Sequence, residues 1–92
     1  MTYMWQEERG NKYYRFQTDE RDIAKNMRRR KKFVLVGWGV KCELWIFQST
    51  FSRPDIARNA FESITGRKAE YDDRAEIFFS EGLLSSQQKE AA

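Results

Sequence analysis

Phe16-Gln17-Thr18-Asp19-Glu20-Arg21-Asp22-Ile23-Ala24-Lys25-Asn26 (FQTDERDIAKN, residues 16–26) has an echo later in the chain, in FQSTFSRPDIARN (residues 47–59). Phe16-Gln17 recurs as Phe47-Gln48 at an offset of 31 residues, and Asp22-Ile23-Ala24-Lys25-Asn26 recurs as Asp55-Ile56-Ala57-Arg58-Asn59 at an offset of 33. In both copies the Phe-Gln pair ends a short run of aromatic and β-branched residues, and the Asp-Ile-Ala segment follows where acidic residues favour a helix start. Strand then helix, twice over, is what the pseudo-symmetric β-α-β-β-α-β unit requires.

Working outward, KYYRFQT (12–18), FVLVGWGV (33–40) and ELWIFQST (43–50) read as strands. Thr18 or Asp19 is positioned to cap a first helix that runs to about Lys31. Ser52-Arg53-Pro54-Asp55, with Ser52 offering a hydroxyl cap and Pro54 an early proline, opens a second helix over 53–65, which Gly66 stops. Ile56, Ala57, Ala60, Phe61 and Ile64 share one broad face of it. KAEYDDRAEIFFS (68–80) reads as a bulged strand or a short hairpin broken at Asp72-Asp73.

The fold expected from this pattern is α+β: a ferredoxin-like sandwich with an N-terminal extension, the strands at 12–18 and 43–50 central and both helices on one face. The alternative is a ββα-ββα duplication, in which Gly10-Asn11 turns a hairpin joining residues 2–6 to 12–18. Ninety-two residues, 40% of them apolar, suffice for one domain, expected over 1–82 with a flexible tail at 83–92.

Alternation assigns the two sheet faces. Burying Arg15 beneath a helix would be costly, so Tyr14, Phe16, Trp45 and Phe47 are expected to face the helices. Tyr13, Arg15, Gln17, Leu44, Ile46 and Gln48 then fall on the open face. Leu44 and Ile46 there call for a cover: the segment carrying Tyr3 and Trp5, the Leu83-Leu84 pair, a ligand, or a second copy of the chain in a homodimer.

Charge is unevenly divided. Residues 1–46 hold eleven basic and six acidic side chains, +5, whereas residues 47–92 hold six and eight, −2. At 100° per residue Arg21, Lys25, Arg28 and Lys32 form one stripe with Arg29 beside it, away from Ile23, Ala24 and Met27. Cations fixed in this way can contact phosphates and release counterions. These five, with Tyr13 and Arg15 on the open face for stacking, are the candidate nucleic-acid-binding residues, the partner being RNA or single-stranded DNA. The alternative is a protein-interaction module, an inhibitor or accessory subunit, with Leu44 and Ile46 at its interface or the basic stripe against an acidic protein surface. Ferredoxin-like topology with aromatic central strands invites comparison with RNA recognition motifs. Yet Glu43-Leu44-Trp45-Ile46-Phe47-Gln48 lacks their basic-Gly-aromatic signature, so the likeness stops at topology.

Several chemistries are unsupported. The chain has no His and one Cys, which removes His-based triads, zinc clusters and an internal disulfide. Gly37-Trp38-Gly39 lacks the last glycine of a dinucleotide loop, and no Gly-Lys-Ser/Thr is present. Glu70, Asp72, Asp73 and Glu76 read as a solvated turn before a Mg²⁺ site, and Cys42 beside Lys41 as an ordinary free thiol. The expectation is a non-enzymatic binding domain without metal or cofactor. No stretch approaches the ~18 apolar residues that span a bilayer, and no Asn lies in a glycosylation acceptor, so a cytoplasmic location away from membranes is expected.

Overall fold

The computed structural model describes residues 1–39 and 43–80. Its elements run β1 (Thr2–Gln6), β2 (Tyr13–Thr18), α1 (Arg21–Arg28), β3 (Val34–Trp38), β4 (Trp45–Thr50), α2 (Pro54–Thr65), β5 (Glu70–Asp72) and β6 (Ile77–Ser80). The strands form one six-stranded sheet in the order β3-β4-β2-β1-β6-β5, antiparallel at every step.

The expected α+β class holds, and the two Phe-Gln strands, β2 and β4, are neighbours, although the middle pair of the sheet is β2 with β1 and β4 lies one strand from the edge. Their register sets Phe16 opposite Phe47. Each is therefore paired with its own repeat equivalent, and a local pseudo-dyad passes between the two rings. From this pair a single row of side chains crosses the sheet: Leu35, Phe47, Phe16, Met4, Phe78 and Tyr71. Met4, Phe16 and Phe47 are completely buried and share one core with Ile23, Ala24 and Met27 of α1 and Ala57, Phe61 and Ile64 of α2. Both helices thus cover the same face. Phe16 packs on the Phe33 ring at 4.8 Å, with Phe51 and Phe61 at 6.1 and 6.3 Å.

Strand order departs from the ferredoxin-like expectation. That topology places the strand following α2 beside β2, but here β1 holds the position. The cause is local: the turn over residues 7–12, with Gly10 at φ 80°, closes a hairpin that pairs all five residues of β1 with β2. The β5–β6 hairpin after α2 can reach only the far side of β1. A hairpin followed by a helix therefore occurs twice, as in the alternative reading, and a third hairpin is added.

The helices differ in detail from their expected limits. Neither Thr18 nor Asp19 caps α1; its N-cap is Glu20, without a side-chain cap bond. The Thr18 hydroxyl accepts from the Glu20 amide at 3.0 Å and meets the Thr2 hydroxyl at 2.8 Å. The helix stops at Arg28 instead of reaching Lys31. Like charges four apart, Lys25 with Arg29 and Arg28 with Lys32, oppose its extension, and Phe33 has to turn inward to join the core. Pro54 occupies the first turn of α2 and Gly66 ends it at φ 69°, as expected, whereas the N-cap is Arg53 and not Ser52. Ile56 lies off the buried face, 39% exposed, while Thr65 joins it. Of the two readings for 68–80, the short hairpin is observed: the Asp72 carboxylate accepts from the Arg74 and Ala75 amides at 2.9 and 3.3 Å and shapes its turn.

Candidate nucleic-acid interface and open sheet face

The residues singled out from sequence occupy two surfaces on opposite sides of the sheet. Arg21, Lys25, Arg28, Arg29 and Lys32 are all exposed in the helix layer. Only the first three belong to α1; Arg29 is its C-cap, and Lys32 lies in the turn that follows. Arg30 and Lys31, which helical spacing left out of the stripe, are exposed in the same turn. The run Arg28-Arg29-Arg30-Lys31-Lys32 is thus one continuous basic ridge.

Its ends are fixed from within. Met27, fully buried, precedes the run, and Phe33, 9% exposed, follows it. Between them the Arg30 amide donates to the Met27 carbonyl and the Phe33 amide to the Arg30 carbonyl, both at 3.1 Å. Arg30 also reaches the Ser63 hydroxyl on α2 at 3.3 Å. Arg21 is engaged with Glu43. Lys25, Arg28, Arg29, Arg30, Lys31 and Lys32 have no ion-pair partner among the described residues. Six cations in eight positions, none neutralised by a neighbouring acid, give a strongly positive surface.

Tyr13 and Arg15 lie on the other side of the sheet, away from this ridge. Arg15 donates from Nε to the Glu7 carboxylate at 3.0 Å, so its charge is already balanced. Tyr13 is paired with Thr50 at one end of the central strands, with Lys12 Nζ 5.6 Å from its ring centroid.

The assignment of faces from Arg15 holds: Tyr14, Phe16 and Phe47 are buried toward the helices and Trp45 packs against the same core. Gln17, Ile46 and Gln48 alternate to the uncovered face and are half-buried. A Cβ on Gly37 would lie 3.7 Å from Ile46 Cδ1, ordinary contact, so β3 runs close beside that side chain. Leu44 precedes β4, half-buried, its carbonyl accepting from the Gly39 amide at 2.9 Å. Tyr3 and Trp5 do not fold over this face as a flap; they belong to β1 and form part of it. With Gln17, Ala75, Glu76 and Ile77 they line a shallow depression of about 520 Å³. Leu83, Leu84, the expected tail at 83–92, Lys41 and Cys42 lie outside the described residues.

Glu70, Asp72 and Asp73 belong to β5 and its turn, and Glu76 closes the turn at φ 55° while bonded to Arg9. Among the described residues no three His, Cys, Asp or Glu side chains are grouped to hold a metal ion, and no helix is long and apolar enough to cross a membrane. Comparison of the chain with protein-family models, curated proteins and solved structures finds no match.

Proposed function

We propose that this domain binds nucleic acid, RNA or single-stranded DNA, through the ridge formed by Lys25 and Arg28–Lys32. The observation that carries the reading is a run of five exposed cations held between two buried anchors, Met27 and Phe33, with no ion-pair partner among the described residues. An anchored ridge loses little conformational entropy on meeting a polyanion, and each phosphate neutralised releases counterions. Contacts of this type position the strand without reading its bases. The role is binding, without catalysis.

Replacing Arg28 and Arg29 by Gln keeps helix propensity and stem length. In fluorescence anisotropy with labelled single strands, the double variant should bind all sequences more weakly and flatten the log–log salt slope by about 1.4 units, two phosphates at ~0.7 each. Absence of wild-type binding at about 50 mM salt, where screening is weak, would falsify the proposal.

A second reading rests on the other surface. Tyr3, Trp5, Ile46, Ile77 and Phe79 leave half-buried apolar side chains on a sheet face that no described element covers, which suits docking on a protein or on a second copy with Leu44 and Ile46 at the contact. Ile46→Glu would then abolish docking while the basic ridge kept its affinity for polyanions.

A further inference from the structure

The sheet ends in two strands of opposite character. At one edge β3 exposes Val34 (60%), Val36 and Trp38 (65%), and only Phe33 separates its start from Arg30, Lys31 and Lys32. At the other, β5 exposes Tyr71 (51%) between Glu70 and Asp72, with Asp73 next. The outer sides of both strands have no backbone partner among the described residues. Unpaired amides and carbonyls on an edge strand are a template for another strand.

We infer that β3 of one copy pairs with β5 of the next, extending the sheet head to tail through successive copies of this chain. Direction comes first. Five antiparallel steps separate β3 from β5, so the two strands run in opposite directions. A second copy added in the same orientation therefore continues the antiparallel alternation without rearrangement. Charge comes second. Antiparallel pairing sets the start of β3 beside the end of β5: Asp72 falls opposite Val34 and Asp73 opposite Phe33, one position from Lys32 and two from Lys31, with Arg74 as the one cation on that side. Pairing β5 with itself would instead bring Glu70 against Asp72 and Asp73. Pairing β3 with itself would offer the lysines no acid from either strand. Length and face agree as well. Val34–Val36, ahead of the register shift between Leu35 and Gly37, match the three residues of β5. Continuing the buried row places Leu35 opposite Tyr71, and Val34 opposite Asp72.

The contact uses two different patches, so it does not close on itself as a dyad does; it gives an open, twisting assembly that advances about 29 Å per six-stranded copy. The acidic edge takes no part in nucleic-acid binding, whereas Lys31 and Lys32 belong to both contacts, so only a change on the acidic edge tests assembly by itself.

The test is sedimentation velocity with light scattering on the full chain, free of nucleic acid, over rising concentration at low and high salt. The average mass should keep growing past the dimer at low salt and fall at about 500 mM salt. Two variants then exchange the charges: Asp72→Lys with Asp73→Lys, and Lys31→Glu with Lys32→Glu. Each alone should stay monomeric, and an equimolar mixture should assemble again. The first variant should retain its affinity for single strands, which separates loss of assembly from loss of polyanion binding. A wild-type chain that stays monomeric at about millimolar concentration, or whose mass stops at the dimer, overturns the inference. So does a mixture of folded variants, checked by circular dichroism, that fails to assemble. The wild-type series decides alone if either variant does not fold.

Discussion

Arg67 is 12% exposed and gives both terminal nitrogens to Glu20, at 2.9 and 2.7 Å, with the Ser80 hydroxyl 3.2 Å from Nη2. Glu20 also accepts from the Thr2 hydroxyl at 2.8 Å. Three distant parts of the chain meet at this carboxylate: the start of β1, the N-cap of α1 and the segment after α2. The Arg67 hydrogen bonds hold the Glu20 carboxyl below its usual range, with Thr2 assisting, while partial burial opposes them. A carboxyl depressed in the folded state stabilises it at pH values above the unfolded carboxylate range. That contribution is lost as pH falls through the folded value. Urea midpoints should accordingly drop between neutral pH and about pH 3, and Glu20→Gln should remove part of that dependence. At neutral pH the same variant should cost about 2–3 kcal/mol, less than the ~3–5 of a fully buried broken pair because both partners retain some solvent. Sequence gave no sign of this bridge. Glu20 reads as one more first-turn acid, and nothing in local periodicity ties it to a residue 47 positions away.

Among the elements, α2 was the most legible, since Pro54 and Gly66 bracket it with residues whose backbone preferences are strong. At φ 69° Gly66 adopts a left-handed conformation, and an added Cβ there would meet nothing within 4 Å. Gly66→Ala should therefore cost about 1 kcal/mol through backbone strain alone, read as a lower thermal midpoint with the fold unchanged. The end of α1 was harder to place, because no glycine or proline marks it; repulsion along the ridge and the inward turn of Phe33 decide it. Strand faces were legible from a single charged residue, Arg15, and the sharpest check lies one position apart on β4. Phe47→Ala removes a fully buried ring and should cost about 3–5 kcal/mol, whereas Ile46→Glu, on the uncovered face, should cost about 1 kcal/mol or less in the same urea titration.

For the molecule as a whole, the repeat revealed the α+β class, both helices and the pairing of β2 with β4, but not the strand order. The repeat covers neither β1 nor the last hairpin, and which edge a strand joins is a long-range choice with no local signature. The candidate site was legible in part. The basic residues were visible as a run, and alternation set Tyr13 and Arg15 on the face opposite the helices, but helical spacing excluded Arg30 and Lys31 because nothing local marks the end of α1 at Arg28.

The anchoring of the ridge by Met27 and Phe33 also governs how the protein meets a protease. Arg28 through Lys32 offer five adjacent cleavage positions for trypsin, but a bound substrate must be drawn out as an extended strand. Five residues tethered at both ends to a buried core cannot comply until one anchor lets go. Cutting at the ridge should thus follow the opening of the core and not surface accessibility, its rate falling as stability rises. Phe33→Ala, which releases one tether, should speed cleavage between β2 and β3 on a time course followed by mass spectrometry. Equally slow cutting of that variant would mean the chain is held at the ridge by something other than its anchors.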